Sequence, residues 1–206
     1  DERRRIKKQM LLAEQQYEQE KSQQLENQIV SLHNQQMAIK ILLNSLYGAQ
    51  GNVHFRYYDH RVAESITTSG QLSIKWAEKA INKYINDQLS IDRDYVIAID
   101  TDSLYVDMSE FVNRFKPKDP VKFLDQICQQ AVEPVLDNAY QQLADKMNAF
   151  ENRMKMSREV IADKAVWIAK KRYFMQVHNS EGVQYTQPKL KVMGVEAVKS
   201  STPQIC

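Results

Sequence analysis

The chain has 206 residues, enough for one domain or two small ones, and its hydrophobic share of 43% is ordinary for a globular protein. A formal net charge of +2 is too small to indicate a nucleic-acid partner, so charge has to be considered cluster by cluster. Cys128 and Cys206 have neither metal-ligand spacing nor the pattern of a disulfide framework. No signal peptide or membrane-length apolar run is present, so we expect a cytoplasmic protein without a membrane partner.

The first 48 residues predict two helices, because no Gly or Pro occurs before Gly48. The Gln- and Glu-rich middle of this stretch has little apolar content and predicts the turn between them. Arg3 and Lys7 lie one helical turn apart in the basic start of the first helix. Apolar residues recur at three-four spacing on the second helix, with Gln36 at the missing step: Leu25, Ile29, Leu32, Ile39, Leu43 and Leu46. We expect an antiparallel hairpin; the alternative is a coiled-coil interaction hairpin.

A polar stripe lies beside that apolar one. Lys40, Asn44 and Tyr47 are spaced i, i+4 and i+7, so a helix brings a cation, an amide and a phenol to one face. Such a face suits a phosphorylated ligand that carries a base. Gly48 then allows close backbone approach or a left-handed helix end. The alternative is a solvated helix face.

Residues 49–59 predict a loop or short strand, and a long helix follows from His60 to Leu89. Residues 95–106, "YVIAIDTDSLYV", then predict a β-hairpin with Asp100 and Asp102 at its tip. Carboxylates at a tip held by rigid strands suit Mg²⁺, which takes one or two of them together with substrate phosphates. The alternative is plain turn chemistry, since Asp favours turns. The sequence does not predict a calcium loop, because the acidic spacing and the closing Glu of such a loop are missing.

Residues 121–150 predict a further helix, in which Pro134 starts or kinks a turn. Its expected inward residues are Leu124, Ile127, Ala131, Val135, Ala139 and Leu143. From Ala165 the pattern predicts one strand over 165–179, a turn at "SEG" and a second strand from 183. Helices followed by strands indicate an α+β fold.

The third cluster is "KKRY", Lys170 to Tyr173, followed by Lys189 and Lys191 on the next predicted strand. Basic residues interleaved with aromatic ones on strands suit a nucleic-acid backbone. The alternative is an ordinary basic surface strand.

Together, these three clusters resemble the family B DNA polymerases, and most closely the replicative polymerases of T-even-type bacteriophages. "KILLNSLYG" is similar to motif B of that family (K-x-x-x-N-S-x-Y-G), and "DTDS" is similar to motif C. "KKRY" and "LKVMGVEAVKSSTP" resemble primer-side palm segments, and "GNVHFRYYD" resembles the phage group. The resemblance implies a fingers helical hairpin over residues 1–48. It also implies the carboxy-terminal part of a palm over residues 49–206, an antiparallel sheet with a metal-binding hairpin, backed by helices.

The resemblance also implies roles for individual residues. Asp102 is expected to bind two Mg²⁺ ions directly, with Asp100 as a second carboxylate and Glu159 as an accessory palm acid. The phosphates and the base of the incoming dNTP would contact residues of the fingers, namely Lys40, Asn44, Tyr47, Arg3 and Lys7. Primer–template DNA would meet Gly48, Lys170, Lys171, Arg172, Tyr173 and Lys191. The reaction implied is attack of a primer 3′-hydroxyl on the α-phosphate of the dNTP.

The chain departs from the family pattern in what it lacks. No D-x-x-S-L-Y-P-S-type motif A, which carries another metal-binding Asp, is present, and neither is an exonuclease domain or a thumb. We therefore expect a part of a longer enzyme, inactive alone, in the cytoplasm of an infected bacterium. Its partners would be primer–template DNA, dNTP, the remaining polymerase segments and a sliding clamp. The alternatives are a split-gene subunit that needs a second chain, or a non-catalytic DNA-binding or helical interaction module.

Overall fold

The computed structural model describes residues 2–196, so Cys206 and the end of the "LKVMGVEAVKSSTP" segment lie outside the described residues. The described helices and strands follow the chain in this order: α1 (Glu2–Gln19), α2 (Gln23–Gln50), α3 (His60–Leu89), β1 (Val96–Asp100), β2 (Ser103–Val106), α4 (Ser109–Phe115), α5 (Pro120–Ile127), a π-helical turn (Cys128–Val132), α6 (Glu133–Lys146), β3 (Val160–Ala169), β4 (Arg172–Ser180) and β5 (Val183–Met193). The α+β class is confirmed. Two compact units divide the chain, one ending at Thr68 and one beginning at Ser69.

In the first unit, α1 and α2 pack against each other as the predicted helical pair. A short connection reverses the chain, and Ser22 caps α2 by accepting a hydrogen bond from the Leu25 N–H at 3.2 Å. The contact buries one side of α1, through Ile6, Met10, Leu11 and Ala13. Gln36 is the buried residue of α2, which confirms the phase predicted for its apolar stripe.

The far end of α2 differs from expectation. Leu43 and Leu46 were expected on the buried stripe, but they are 56% and 60% exposed. The reason is length: α1 has 18 residues and α2 has 28, or about 27 Å against about 42 Å. The last turns of α2 therefore extend beyond α1. Of the two alternatives for Gly48, the left-handed helix end is wrong, because α2 continues to Gln50 and its cap, Gly51, is right-handed.

The second unit is built around a core that α3 shares with the hairpin and with α6. Tyr95, just before β1, is 1% exposed, and its N–H donates to the Asn82 side chain of α3 at 2.8 Å. Helix α4, which the sequence analysis did not predict, contributes Phe111 to this core. The buried core residues are Ala77, Ile81, Ile85, Leu89, Tyr95, Phe111, Leu136, Tyr140 and Leu143.

The helix expected over residues 121–150 runs from Pro120 to Lys146, with a π-helical turn at Cys128–Val132. Pro134 lies just after that turn; proline has no N–H to donate, and a π-turn relieves the clash with the preceding backbone. The extra residue in a π-turn shifts the helical phase. Ala139 and Leu143 are buried as expected, and Leu136 and Tyr140 are buried although they were not expected to face inward, whereas Leu124, Ile127, Ala131 and Val135 are only half-buried.

The strands form two antiparallel sheets, β1–β2 and β3–β4–β5. The single strand expected over 165–179 is wrong, because β3 begins at Val160 and the chain reverses at Lys170–Lys171. The predicted turn at "SEG" is confirmed: Glu181 and Gly182 have φ values of 49° and 87° between β4 and β5. Across residues 2–196, no helix is both long enough and apolar enough to cross a bilayer.

Candidate functional site

The acidic hairpin of the second unit places two carboxylates at its tip. Asp100 ends β1 and pairs in register with Ser103, which begins β2, so only Thr101 and Asp102 make the turn. The turn is closed by the backbone, with the Asp102 N–H 2.6 Å from the Asp100 carbonyl oxygen, and Thr101 takes a left-handed φ of 55°. The Thr101 hydroxyl donates to an Asp100 carboxylate oxygen at 3.1 Å and the Ser103 hydroxyl to one of Asp102 at 3.5 Å, whereas no backbone N–H of the described tip donates to either carboxylate.

A cationic tip lies beside this acidic tip. Lys170 and Lys171 form the reversal between β3 and β4, with Lys171 at a left-handed φ of 63°. The Lys171 ammonium is 3.7 Å from a carboxylate oxygen of Asp100. Because the lysine side chain is 63% exposed, this ion pair contributes little stability, but it shows that the two tips are neighbours.

Below the tips, an aromatic cluster joins the two sheets. The hydroxyls of Tyr105 on β2 and Tyr173 on β4 are 2.9 Å apart. Both rings pack edge-on, with centroids 5.5 Å apart, and the Trp167 ring of β3 lies 5.3 Å from Tyr105. Tyr173 is only 5% exposed. This tyrosine, predicted to contact DNA, is therefore placed as a packing and hydrogen-bonding residue beneath the cationic tip.

Two other predicted cations of this sheet, Arg172 and Lys191, face acidic partners. The guanidinium of Arg172 is 3.1 Å from a carboxylate oxygen of Glu196, and the Lys191 ammonium is 3.6 Å from one of Glu159. The structure thus brings Glu159, which was predicted to be an accessory acid, to Lys191. Lys170 is exposed and has no ion pair among the residues described.

Arg158 fixes the chain just before β3, next to Glu159. Its side chain is 9% exposed and its guanidinium donates to Asp125 of α5 and, at 2.7 Å, to the amide oxygen of Asn179 on β4. Asn179 is itself 2% exposed and also accepts from the Gly182 N–H at 3.1 Å. This buried polar network ties the three-stranded sheet to the helix behind it.

In the first unit, the predicted polar stripe is present on α2 and faces solvent. Lys40, Asn44, Tyr47 and Gly48 are all exposed, and a side chain added at Gly48 would meet nothing within 4 Å. The first turns of α1 hold Arg3 and Lys7, and both are half-buried. Arg3 lies about as far along the chain from the α1–α2 turn as Lys40 does, because 18 residues separate Arg3 from Lys21 and 19 separate Lys21 from Lys40.

Comparison with known proteins decides the family. The model of DNA polymerase family B matches residues 1–204. The chain belongs to the family B DNA polymerases. It is 44% identical over 184 residues to the DNA-directed DNA polymerase of Enterobacteria phage T4, covering 82% of this chain and 20% of that protein. It is 41% identical over 180 residues to that of Escherichia phage RB69, covering 80% and 20%. This family B chain therefore spans about one fifth of the length of its phage relatives.

The acidic tip of this family B chain has the donor chemistry that Mg²⁺ requires. Asp100 and Asp102 supply hard carboxylate oxygens, and Mg²⁺ is commonly held by one or two carboxylates together with substrate phosphates and water. Among residues 2–196, no three acidic, His or Cys side chains converge at one place. The pair thus fits a partial ligand set, to which a substrate and other groups would add.

Sequence reasoning missed the residues that connect the two tips of the family B chain. The sequence pattern predicts Tyr105 and Trp167 only as strand residues and gives no signal for Arg158. Burial raises the pKa of Tyr105 well above its ordinary value, and the hydrogen bond to Tyr173 and the charges of Asp100 and Glu159 raise it further. A tyrosine three residues after the second Asp of a metal motif was the available signal, but only tertiary structure supplies its partner.

Proposed function

We propose that this chain supplies the fingers hairpin (1–48) and the carboxy-terminal palm (49–206) of a DNA polymerase that extends a primer 3′-hydroxyl. The observation that carries the proposal is the acidic tip, which exposes Asp102 and lies beside a cationic tip, in a family B chain. The enzyme would act in the cytoplasm of an infected bacterium. Its partners would include a sliding clamp and the segments that the phage relatives have in addition.

The acids of the palm would hold the metal ions. Two Mg²⁺ ions, when bound, would stabilise the attacking and leaving oxygens of an in-line displacement at the α-phosphate. Asp102, exposed at the tip, would be the principal ligand, and Asp100 the second. Glu159 would serve as an accessory acid, held in place by Lys191 on one side and by the buried neighbour Arg158 on the other.

The polar stripe of the fingers would receive the incoming dNTP. Lys40 supplies a point charge for the triphosphate and Asn44 a hydrogen-bonding amide one turn further on, with Arg3 and Lys7 of α1 as additional cations. Tyr47 would lie under the nascent base pair at its minor-groove edge. The open space at Gly48 supports close approach of the DNA to the backbone there.

The three-stranded sheet would hold the primer–template. Lys170 and Lys171 project from the tip beside the metal acids, so their phosphate contacts would lie close to the growing end of the primer. Arg172 and Lys191 would exchange their present carboxylate partners for DNA phosphates. Tyr173, being buried, would support these cations from below.

The test uses a complete polymerase in which this chain replaces the matching segment of a phage relative. Asp102→Asn keeps the shape of the side chain and removes the charge that holds metal, and loss of about 4 kcal/mol of transition-state stabilisation corresponds to about a thousandfold slower extension. Asp100→Asn should be milder, and both variants should bind primer–template normally. Asp137→Asn, an exposed acid of α6, is the matched control. Parental extension rates in both tip variants would disprove the metal assignment and favour a non-catalytic DNA-binding role.

A further inference from the structure

The acidic and cationic tips belong to different sheets, so their spacing has to be set by contacts outside the backbone ladders. One such contact is the hydroxyl pair of Tyr105 and Tyr173, 2.9 Å apart. Tyr105 lies three residues after Asp102 on β2, and Tyr173 lies two residues after Lys171 on β4. The Tyr105–Tyr173 hydrogen bond therefore connects the hairpin that carries the acidic tip with the hairpin that carries the cationic tip, a few residues away from each tip.

A second contact supports the cationic tip from β5. Gly194, just after that strand, has a left-handed φ of 65°, and a Cβ on it would lie 2.2 Å from the carbonyl oxygen of Lys171. Atoms cannot approach so closely, so any larger residue would push the Lys170–Lys171 turn away from its place. Gly182 has a left-handed φ of 87° in the other turn of the same sheet, but nothing lies within 4 Å of its Cβ position.

We infer that Tyr105 and Gly194 are positioning residues, which fix the Lys170–Lys171 turn against the Asp100–Asp102 tip from two sides. The inference rests on the proposed polymerase function, in which one tip holds the metal ions and the other holds the primer strand. Fixed spacing between them aligns the primer 3′-hydroxyl with the α-phosphate. Neither residue needs to touch a substrate to do so.

The chemistry of the Tyr105–Tyr173 contact suits a permanent link. Burial, the bond to Tyr173 and the two nearby carboxylates all raise the pKa of Tyr105, so its hydroxyl keeps its proton at any pH at which the enzyme works. Replacement by Phe would leave the ring packing against Trp167 and Tyr173 and remove only the hydroxyl. Since a misplacement of about 1 Å at a reacting centre can slow a reaction about a hundredfold, even a small shift of the tip is measurable.

The first experiment is Tyr105→Phe in the complete polymerase described above. We expect the extension rate at saturating dNTP and primer–template to fall about tenfold, while the Kd for primer–template changes less than about twofold. A 2-aminopurine at the primer 3′ end should change its fluorescence, because that end is seated differently. The matched control is Tyr95→Phe, which removes a buried hydroxyl bonded to Glu110 at 3.0 Å at the other end of the same hairpin.

The second experiment compares Gly194→Ala with Gly182→Ala. Both add a methyl group at a left-handed glycine of one sheet, but only the first collides with the Lys171 carbonyl. We expect Gly194→Ala to slow extension about a hundredfold and Gly182→Ala to leave it unchanged. Purified variant chains should all melt within a few degrees of their matched controls.

The outcomes separate the inference from the proposed function. Extension at the parental rate by Tyr105→Phe or Gly194→Ala would overturn the inference. An equal loss of extension rate in Tyr105→Phe and Tyr95→Phe, or in Gly194→Ala and Gly182→Ala, would also overturn it, because it would indicate destabilisation only. If Asp102→Asn also extends primers normally, the metal-binding role that the proposed function gives to the acidic tip has failed. If Asp102→Asn is inactive while Tyr105→Phe and Gly194→Ala behave as the parent, the positioning role alone is wrong.

Discussion

Replacing Arg158 with Met should destabilise the second unit strongly, because it breaks a buried ion pair by removing one partner. Arg158 is 9% exposed and its guanidinium bonds Asp125 and Asn179, while Met retains most of its aliphatic volume. Loss of one member of such a pair costs about 3–5 kcal/mol. Since Asp125 is 22% exposed and can be rehydrated, we expect the lower end, about 3 kcal/mol.

Urea unfolding followed by tryptophan fluorescence measures this loss, because both tryptophans, Trp76 and Trp167, lie in the second unit. With a slope of about 2 kcal/mol per molar urea, the midpoint should fall by about 1.5 M. The control is Arg153→Met, whose ion pair with Glu151 has side chains 82% and 52% exposed and should cost less than about 0.5 kcal/mol. If the two variants unfold within about 0.5 kcal/mol of each other, the buried network does not hold the sheet to the helix.

Two further predictions concern substrate binding and acid stability. Lys40→Ala in the complete polymerase should lower catalytic efficiency for dNTP about ten- to a hundredfold, whereas Lys170→Ala should weaken DNA binding and reduce its salt slope by about one ion. Pre-steady-state dNTP titrations and a salt series of DNA affinities separate them, and weaker DNA binding with normal dNTP use in Lys40→Ala would contradict the assignment. Burial tends to raise the pKa of Asp107, but hydrogen bonds from Ser109 and the charge of Arg93 outweigh it and hold that pKa below the ordinary value of an aspartate. The stability that this ionised carboxylate contributes is present above about pH 4 and is lost as pH falls through the lower pKa of the folded state. The difference in urea midpoint between the parent and Asp107→Asn should therefore become smaller in acid.

The sequence predicted helices best where one pattern persisted. The three-four stripe of α2 had the right phase, and even the polar Gln36 was correctly placed on its buried side. The sequence-based prediction failed where a neighbouring helix determines burial. The pattern of α2 does not indicate that α1 is too short to cover Leu43 and Leu46. The π-turn before Pro134 could not be predicted from the sequence pattern either. The one-residue shift in the phase of the helix arises only when the folded helix accommodates the proline.

The candidate site was predictable as separate motifs but not as an arrangement. Asp100 and Asp102 were recognised because strand residues flank them, so a tip was the simplest interpretation. Lys170 and Lys171 were placed inside one long strand, since apolar residues alternate on both sides and no Gly, Asn or Asp marks a reversal.

The reversal at Lys171 requires a left-handed residue with a side chain, which is uncommon. The turn itself has no glycine. A glycine lies more than twenty residues later, at Gly194, and lets the chain after β5 pass close to the carbonyl oxygen of Lys171. Local sequence therefore could not reveal the cationic tip, because the residue that makes room for it belongs to a different part of the chain. The same long-range dependence makes the Gly194→Ala and Gly182→Ala pair the sharpest measure of whether the spacing of the tips matters for catalysis.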